Sequence, residues 1–322
     1  LGYVYRAAAK AGRKDMAGAE ADLKKAAEIA PQDPLPSVRL GELRLANKQY
    51  KQAETYFEEA LKKDPNSASA LRGLAGVYTE QKALGKAVTR VNEQISKTPN
   101  SSANYLLLGQ LLVNQKVLDK AEAAFRKAVE LDKNNVDAFF LLGQIQVARG
   151  SRDQAIAVYQ QAIQDNPRHV QSYVILGSLE ERRGNWQKAQ EIYQKALQVD
   201  PDYPLAANNL AYSTLEHGGN ADVALSLAQV ARRGMPESAS VADTLAWAFY
   251  HKGVYASAID LLKEALDKQP NNPTYHYHIG LAYQKANDRA RAKEHLERVL
   301  KLSPNYARVQ EVRNALAELA KS

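Results

Sequence analysis

Proline recurs along the chain at a fixed interval, at Pro31, Pro65, Pro99, Pro167, Pro201, Pro236, Pro270 and Pro304, in steps of 34, 34, 68, 34, 35, 34 and 34 residues. Lys133 fills the doubled step, 34 residues from each neighbour, and follows Asp132 as Pro65 follows Asp64 and Pro201 follows Asp200. A chain of 322 residues would ordinarily be divided into two or three compact domains, but internal repetition overrides that expectation. A unit of this size cannot bury its own apolar face, so the units must stack on one another and share one ribbon of core.

Small residues keep the same beat. Gly41, Ala75, Gly109, Gly143, Gly177, Ala211, Ala246 and Gly280 occupy one site of each repeat. Ala19, Ala53, Ala87, Ala121, Ala155, Ala189, Ala224, Ala258 and Ala292 occupy a second, and Ala26, Ala60, Ala128, Ala162, Ala196, Ala231 and Ala265 follow seven residues later, with Gln94 and Val299 as departures. A large side chain at such a site would hold two helices apart. Residues 118–131 place Leu118, Ala121, Phe125, Ala128 and Val129 on one helical face with charges opposite. Leu, Ala, Glu, Lys and Gln dominate, all good helix formers. Each second helix is expected to stop before its proline, which disfavours helical geometry in the preceding residue and lacks an N–H, and Asn66, Ser67 and their counterparts start the next helix.

These residues resemble the tetratricopeptide repeat family over nearly the whole chain. With each proline at repeat position 32, the small residues fall at the family's positions 8, 20 and 27; Leu40, Leu74, Leu108, Leu142, Leu176, Leu210, Leu245 and Ile279 fall at position 7, and Tyr56, Phe57, Phe125, Tyr159 and Tyr193 around position 24. The resemblance implies an all-α fold, a right-handed superhelical solenoid of antiparallel helix pairs. Nine repeats are expected, at about 1–33, 34–67, 68–101, 102–135, 136–169, 170–203, 204–238, 239–272 and 273–306, with a capping helix in 307–322. The first repeat is worn: Arg6 stands where Leu is expected, and no cap precedes it, which suggests that the natural protein continues upstream and leaves a face for self-association. The extra residue of the 35-residue step belongs to the turn at Glu216-His217-Gly218-Gly219-Asn220, where a double glycine suits positive backbone angles.

In the family, positions 5, 9 and 12 of the first helices line a concave groove that holds a partner. Repeats two to six give a largely apolar wall with a glutamine rung, including Val38, Glu42, Leu45, Arg72, Gly76, Thr79, Gln110, Phe140 and Gln144. Repeats seven to nine give Asn208, Tyr212, Asp243, Trp247, Tyr250 and Tyr277, with Asn209, His251 and His278 beside them. Aromatic rings among amides and a carboxylate make a recognition patch, although rings at positions 5 and 12 have packing against the next first helix as their alternative. On the recognition reading, Trp247→Ala or Tyr212→Ala is expected to abolish capture and leave melting almost unchanged. The family's clamp for a terminal carboxylate, Lys at position 5 with Asn at position 9, does not occur: Gly76 follows Arg72 and Tyr212 follows Asn208. A protein or peptide ligand, helical or extended, is therefore the expected partner. The blocks NNLAY, DTLAWAFYHKG and YHYHIGLAY also resemble repeats of bacterial envelope and exopolysaccharide-export proteins.

Catalytic and cofactor motifs are missing. No GxxxxGK[ST], GxSxG or HExxH occurs, and Ala87 follows Gly85-Lys86. Cysteine is absent, which excludes disulfides and thiolate chemistry and tilts slightly toward the periplasm or envelope. His276 and His278 diverge on a helix, and a His251–His278 metal site lacks further ligands. No enzyme activity, cofactor or metal is expected. No apolar run reaches eighteen residues, so no helical membrane span is expected. The net charge of +7 is interleaved with acidic residues, which fits solvated helix faces better than a nucleic-acid footprint. Two other readings remain: a targeting or regulatory segment of a larger enzyme, and a nucleic-acid-binding solenoid.

Overall fold

Wherever a second helix reaches its proline it ends. The helices Tyr50–Lys63 and Trp186–Val199 end directly before Asp64 and Asp200, whose backbone is extended (ψ 99 and 97°) ahead of Pro65 and Pro201, and Leu118–Leu131 ends at the same point before Asp132 (ψ 100°) although Lys133 stands in place of the proline. The next helix is then nucleated by a side chain that caps its free N–H groups: the Ser67 hydroxyl accepts from Ala70 N, and the Asn135 and Asn272 amide oxygens accept from Ala138 N and Thr274 N. The same punctuation along the chain gives an all-α solenoid of paired helices. The computed structural model describes residues 1–321, and among these there are nineteen helices and no strand.

Residues Leu1–Asn166 form one compact unit and Pro167–Ser322 a second. The first unit contains five pairs: α1 (Gly2–Gly12) with α2 (Met16–Ile29), α3 (Leu35–Ala46) with α4 (Tyr50–Lys63), α5 (Ala68–Glu80) with α6 (Leu84–Lys97), α7 (Ser102–Asn114) with α8 (Leu118–Leu131), and α9 (Val136–Ala148) with α10 (Arg152–Asp165). The second contains α11 (Val170–Glu181) with α12 (Trp186–Val199), α13 (Pro204–Glu216) with α14 (Ala221–Gly234), α15 (Ala239–His251) with α16 (Tyr255–Lys268), α17 (Pro273–Lys285) with α18 (Arg289–Leu302), and the single helix α19 (Val309–Lys321).

The small-residue sites are the points of closest approach within each pair. Gly109 lies under the ring of Phe125 and Gly143 under that of Tyr159, and a Cβ on either glycine would stand 2.3 Å from the ring. Ala53, Ala87, Ala121, Ala155, Ala189, Ala224, Ala258 and Ala292 are all fully buried. Tyr159 shows why a phenol can replace the phenylalanine found here in other repeats: its hydroxyl donates to the Phe140 carbonyl at 3.1 Å, so the buried oxygen is paired.

In the first repeat, Arg6 replaces leucine because its partner is polar. Its guanidinium reaches Asp22 at 2.6 and 2.8 Å, and Lys10 reaches the same carboxylate at 2.9 Å. Hydrogen bonds from Arg6 and Lys10 hold the Asp22 carboxyl well below the usual carboxylate range. The turn inside each pair has one residue at positive φ: Lys14, Lys48, Lys82 and Lys116 in the first four repeats, Gly150, Gly184, Gly218 and Gly253 in the next four, and Asn287 in the last. The longer turn lies between Glu216 and Ala221, and only Gly218 of its two glycines takes the left-handed conformation, at φ +71°.

Candidate partner-binding faces

Helical spacing puts positions 5, 9 and 12 of each first helix on one face, and the two units treat that face differently. In the first unit α3, α5 and α7 border a cleft of about 510 Å³. Leu45, Ala75, Leu107 and Leu111 form its apolar walls, and Arg72, Thr79, Gln110 and Asn114 bring polar groups to it. Gly76 keeps the floor low, since a Cβ there would meet only a Leu45 methyl, at 3.5 Å. Gln110 and Gln144 are exposed and Phe140 is half-buried, whereas Val38 and Leu106, both at position 5, are packed inside. Arg72 is exposed and has no carboxylate partner among the described residues. A smaller apolar cleft of about 430 Å³ lies among α1, α2 and α3, lined by Val4, Ala7, Leu23 and Leu43 among others.

In the second unit the corresponding face is filled by its own side chains. Asp243 on α15 and His278 on α17 are 4% and 1% exposed, with His278 Nδ1 2.7 Å from Asp243 Oδ1. Trp247, one turn after Asp243, is 4% exposed; its ring stacks on His278 at 4.1 Å and on Tyr250 at 4.5 Å, and meets the edge of His251 at 4.8 Å. The indole N–H donates to Glu216 Oε1 at 3.0 Å, and Glu216 Oε2 accepts from Arg308, which precedes α19. Tyr277 donates to Glu311 at 2.6 Å, and the Arg308 guanidinium carbon lies 5.8 Å from its ring centre.

Electrostatics follow from this burial. Desolvation, with the Glu216 and Asp243 charges behind it, pushes the Tyr212 phenol far above its ordinary value. Burial pushes the His251 imidazole down and the Tyr250 and Tyr306 phenols up. For Arg308, burial opposes the charge, but Glu216 and Tyr277 outweigh it and raise the guanidinium above its usual value.

The residues nominated from the sequence thus separate into two groups. Tyr212, Tyr250 and Asn209 are half-buried and His251 is exposed, so they present surface; Asn208, Asp243, Trp247, Tyr277 and His278 are buried. The burial of Trp247 corrects the expectation that its removal would leave melting unchanged. His278 is engaged by Asp243, whereas His276 pairs with His295 (Nδ1 to Nδ1, 2.8 Å) and with the Pro270 carbonyl, so the two histidines serve separate contacts. Among the described residues no group of three or more potential ligands is placed to hold a metal, and no helix is long and apolar enough to cross a membrane. Sequence reasoning missed Glu216, Tyr306 and Arg308. No sequence pattern marks them; in the structure α13, α15 and α17 begin three residues after their preceding proline and α19 five after Pro304.

Comparison with known proteins agrees with this architecture. Residues 90–203 match the family described as the cytochrome c-type biogenesis protein H TPR domain. Residues 44–112, 176–239 and 273–306 match tetratricopeptide repeat families, and 247–287 a further TPR repeat family. A stretch of 75 residues, 23% of this chain and 5% of the relative, is 36% identical to cellulose synthase operon protein C of Xanthomonas axonopodis pv. citri. Among solved structures, the APC/C hetero-tetramer Cut9–Hcn1 superposes with a TM-score of 0.58 at 19% identity, over 95% of this chain and 59% of that one. Pseudomonas aeruginosa pilF gives 0.54 at 20% identity, over 66% of this chain and 96% of that one. These likenesses concern the fold. The chain spans only a fraction of the length of cellulose synthase operon protein C and about three fifths of the Cut9–Hcn1 chain.

Proposed function

Because the chain is a tetratricopeptide-repeat protein, a scaffold for protein interaction in kind, we propose that it captures a partner as an extended segment or amphipathic helix laid along its first helices, without catalysing a reaction. The observation that carries this reading is the cleft of about 510 Å³ bordered by α3, α5 and α7. Its apolar walls suit side chains that alternate along a bound segment, and the Gln110 and Asn114 amides can pair with a peptide backbone that would otherwise lose its hydrogen bonds to water. The unpaired Arg72 favours an acidic residue on that segment. Gln144 and Phe140 continue the contact on α9, and in the second unit the accessible Asn209, Tyr212, Tyr250 and His251 offer surface.

Asn208, Asp243, Trp247, Tyr277 and His278 act in this reading by holding the face in shape. The resemblance to a cellulose synthase operon protein supports a bacterial envelope or polysaccharide-export assembly as the setting. The test is crosslinked pull-down from the native organism with wild type and Arg72→Glu. A discrete partner segment lost on charge reversal supports the reading. Equal capture by both proteins would remove the cleft from it.

A further inference from the structure

The strongest departure from repeat logic is the contact between Arg308 and Glu216. In the same unit, the side-chain bonds from Arg232 to Glu264, Trp247 to Glu216, Tyr277 to Glu311 and His278 to Asp243 span 32, 31, 34 and 35 residues, about one repeat each. Arg308 to Glu216 spans 92. In a stack where each repeat touches its neighbours, this bond passes over the two repeats of α15–α16 and α17–α18 and joins α13 to the segment before α19. The late start of α19 makes it feasible, because it leaves Ala307 and Arg308 outside the helix.

The receiving slot is organised for a guanidinium. Glu216 is fixed by the Trp247 indole N–H, which holds one carboxylate oxygen and leaves the other for Arg308. The Tyr277 ring, anchored through its hydroxyl to Glu311, stands beside the cation. A carboxylate with an aromatic flank favours the planar, weakly hydrated guanidinium over an ammonium. Besides Glu216, the strap is held by the Tyr306 ring, which lies 5.8 Å from that of Tyr277, by the Tyr306 hydroxyl on Thr274 Oγ1 at 3.4 Å and by Arg308 on Glu311 at 3.5 Å, while the Arg308 side chain remains 29% exposed.

We propose that the slot formed by Glu216, Trp247 and Tyr277 is an arginine-recognition subsite, filled in cis by Arg308, which a partner strand carrying arginine close after an aromatic residue enters by displacing the Tyr306–Arg308 strap. The inference rests on the reading of the chain as a partner-capturing scaffold and specifies what its second unit recognises.

The test uses the full chain with Trp186→Phe, so that Trp247 is the only indole, and the peptide acetyl-Tyr-Ala-Arg-amide, which copies the strap. Arg308→Ala should bind this peptide at least tenfold more tightly than the Trp186→Phe parent, read as a change in Trp247 fluorescence. The lysine counterpart of the peptide should bind at least tenfold more weakly, and adding Glu216→Gln to Arg308→Ala should remove binding. Arg308→Lys, which keeps the charge, should fall between parent and Arg308→Ala and supplies the same comparison if the alanine variant fails to fold. Equal affinity for the parent and for a folded variant, equal affinity for the lysine peptide, or no binding to folded variants would each overturn the subsite. Capture through Arg72 in the first unit is read separately, so loss of either result leaves the other standing.

Discussion

The first unit leaves the face of its first helices open, whereas the second fills the same positions with Trp247, Tyr277, His278 and Asp243. Both are built on one repeat, with the same small residues at the same depths, so the difference lies in what the variable inner positions carry. Amides, a glycine and a free arginine leave a cleft. Rings and a buried charged or polar pair close on one another and become part of the core.

The sharpest way to break this contrast is to remove a nominated side chain from each face. Trp247→Ala should cost about 3–5 kcal/mol in the transition of the second unit, since it deletes a buried stack and strands the Glu216 acceptor. Gln110→Ala, exposed in the first unit, should stay within about 0.5 kcal/mol. Urea unfolding followed by circular dichroism checks both, and similar small changes would show that the two faces are equivalent. Where the units are built alike they should respond alike: Ala155→Leu and Ala189→Leu, at fully buried sites in the first and second unit, should each cost roughly 1–3 kcal/mol by overpacking.

Acidification should separate the units again. All six histidines fall within residues 167–322. Burial lowers His276 and His295, which pair with each other, below the ordinary imidazole value, so the folded second unit holds them neutral while the unfolded chain takes up protons. Stability from this source is complete above about pH 6.5 and is lost as pH falls from there through the lowered values. The first unit lacks histidine; its Asp22, lowered by Arg6 and Lys10, contributes above the ordinary carboxylate range and loses that contribution only in stronger acid. Melting curves at pH 7.5 and 5.5 should therefore shift the second unit's transition and spare the first; a uniform shift would contradict the assignment.

The smallest effect concerns the turns. Lys48 and Lys116 occupy the left-handed region where later repeats use glycine. Replacing either by glycine should stabilise the first unit by roughly 1 kcal/mol or less, and Gly253→Ala should destabilise the second by a similar amount. Thermal melts of the single variants measure this directly.

The architecture was legible because its determinants recur: Gly143 under Tyr159 has counterparts at the same spacing, and each proline marks the same helix end. The left-handed lysines were hidden, since lysine has no preference for that conformation and the backbone is imposed by the pair it joins. The faces were half legible. Helical spacing assigned Gln110, Arg72 and Trp247 to the inner surface, but whether a ring there meets solvent or another ring depends on its neighbours in the adjacent repeat. The Glu216–Arg308 bond left no trace in the sequence because it occurs once and joins residues 92 apart.

If the open face of the first unit, bordered by α3, α5 and α7, is the seat of the partner, a reactive group placed on it must reach that partner. A photocrosslinking side chain introduced at Gln110 on that face, and in a separate variant at Arg126 on α8 of the same repeat, tests this most directly in the native organism. Position 110 should crosslink to one discrete partner segment, less so in Arg72→Glu, and position 126 should capture none of that segment. Crosslinks to the same partner from position 126, with position 110 silent, would contradict it.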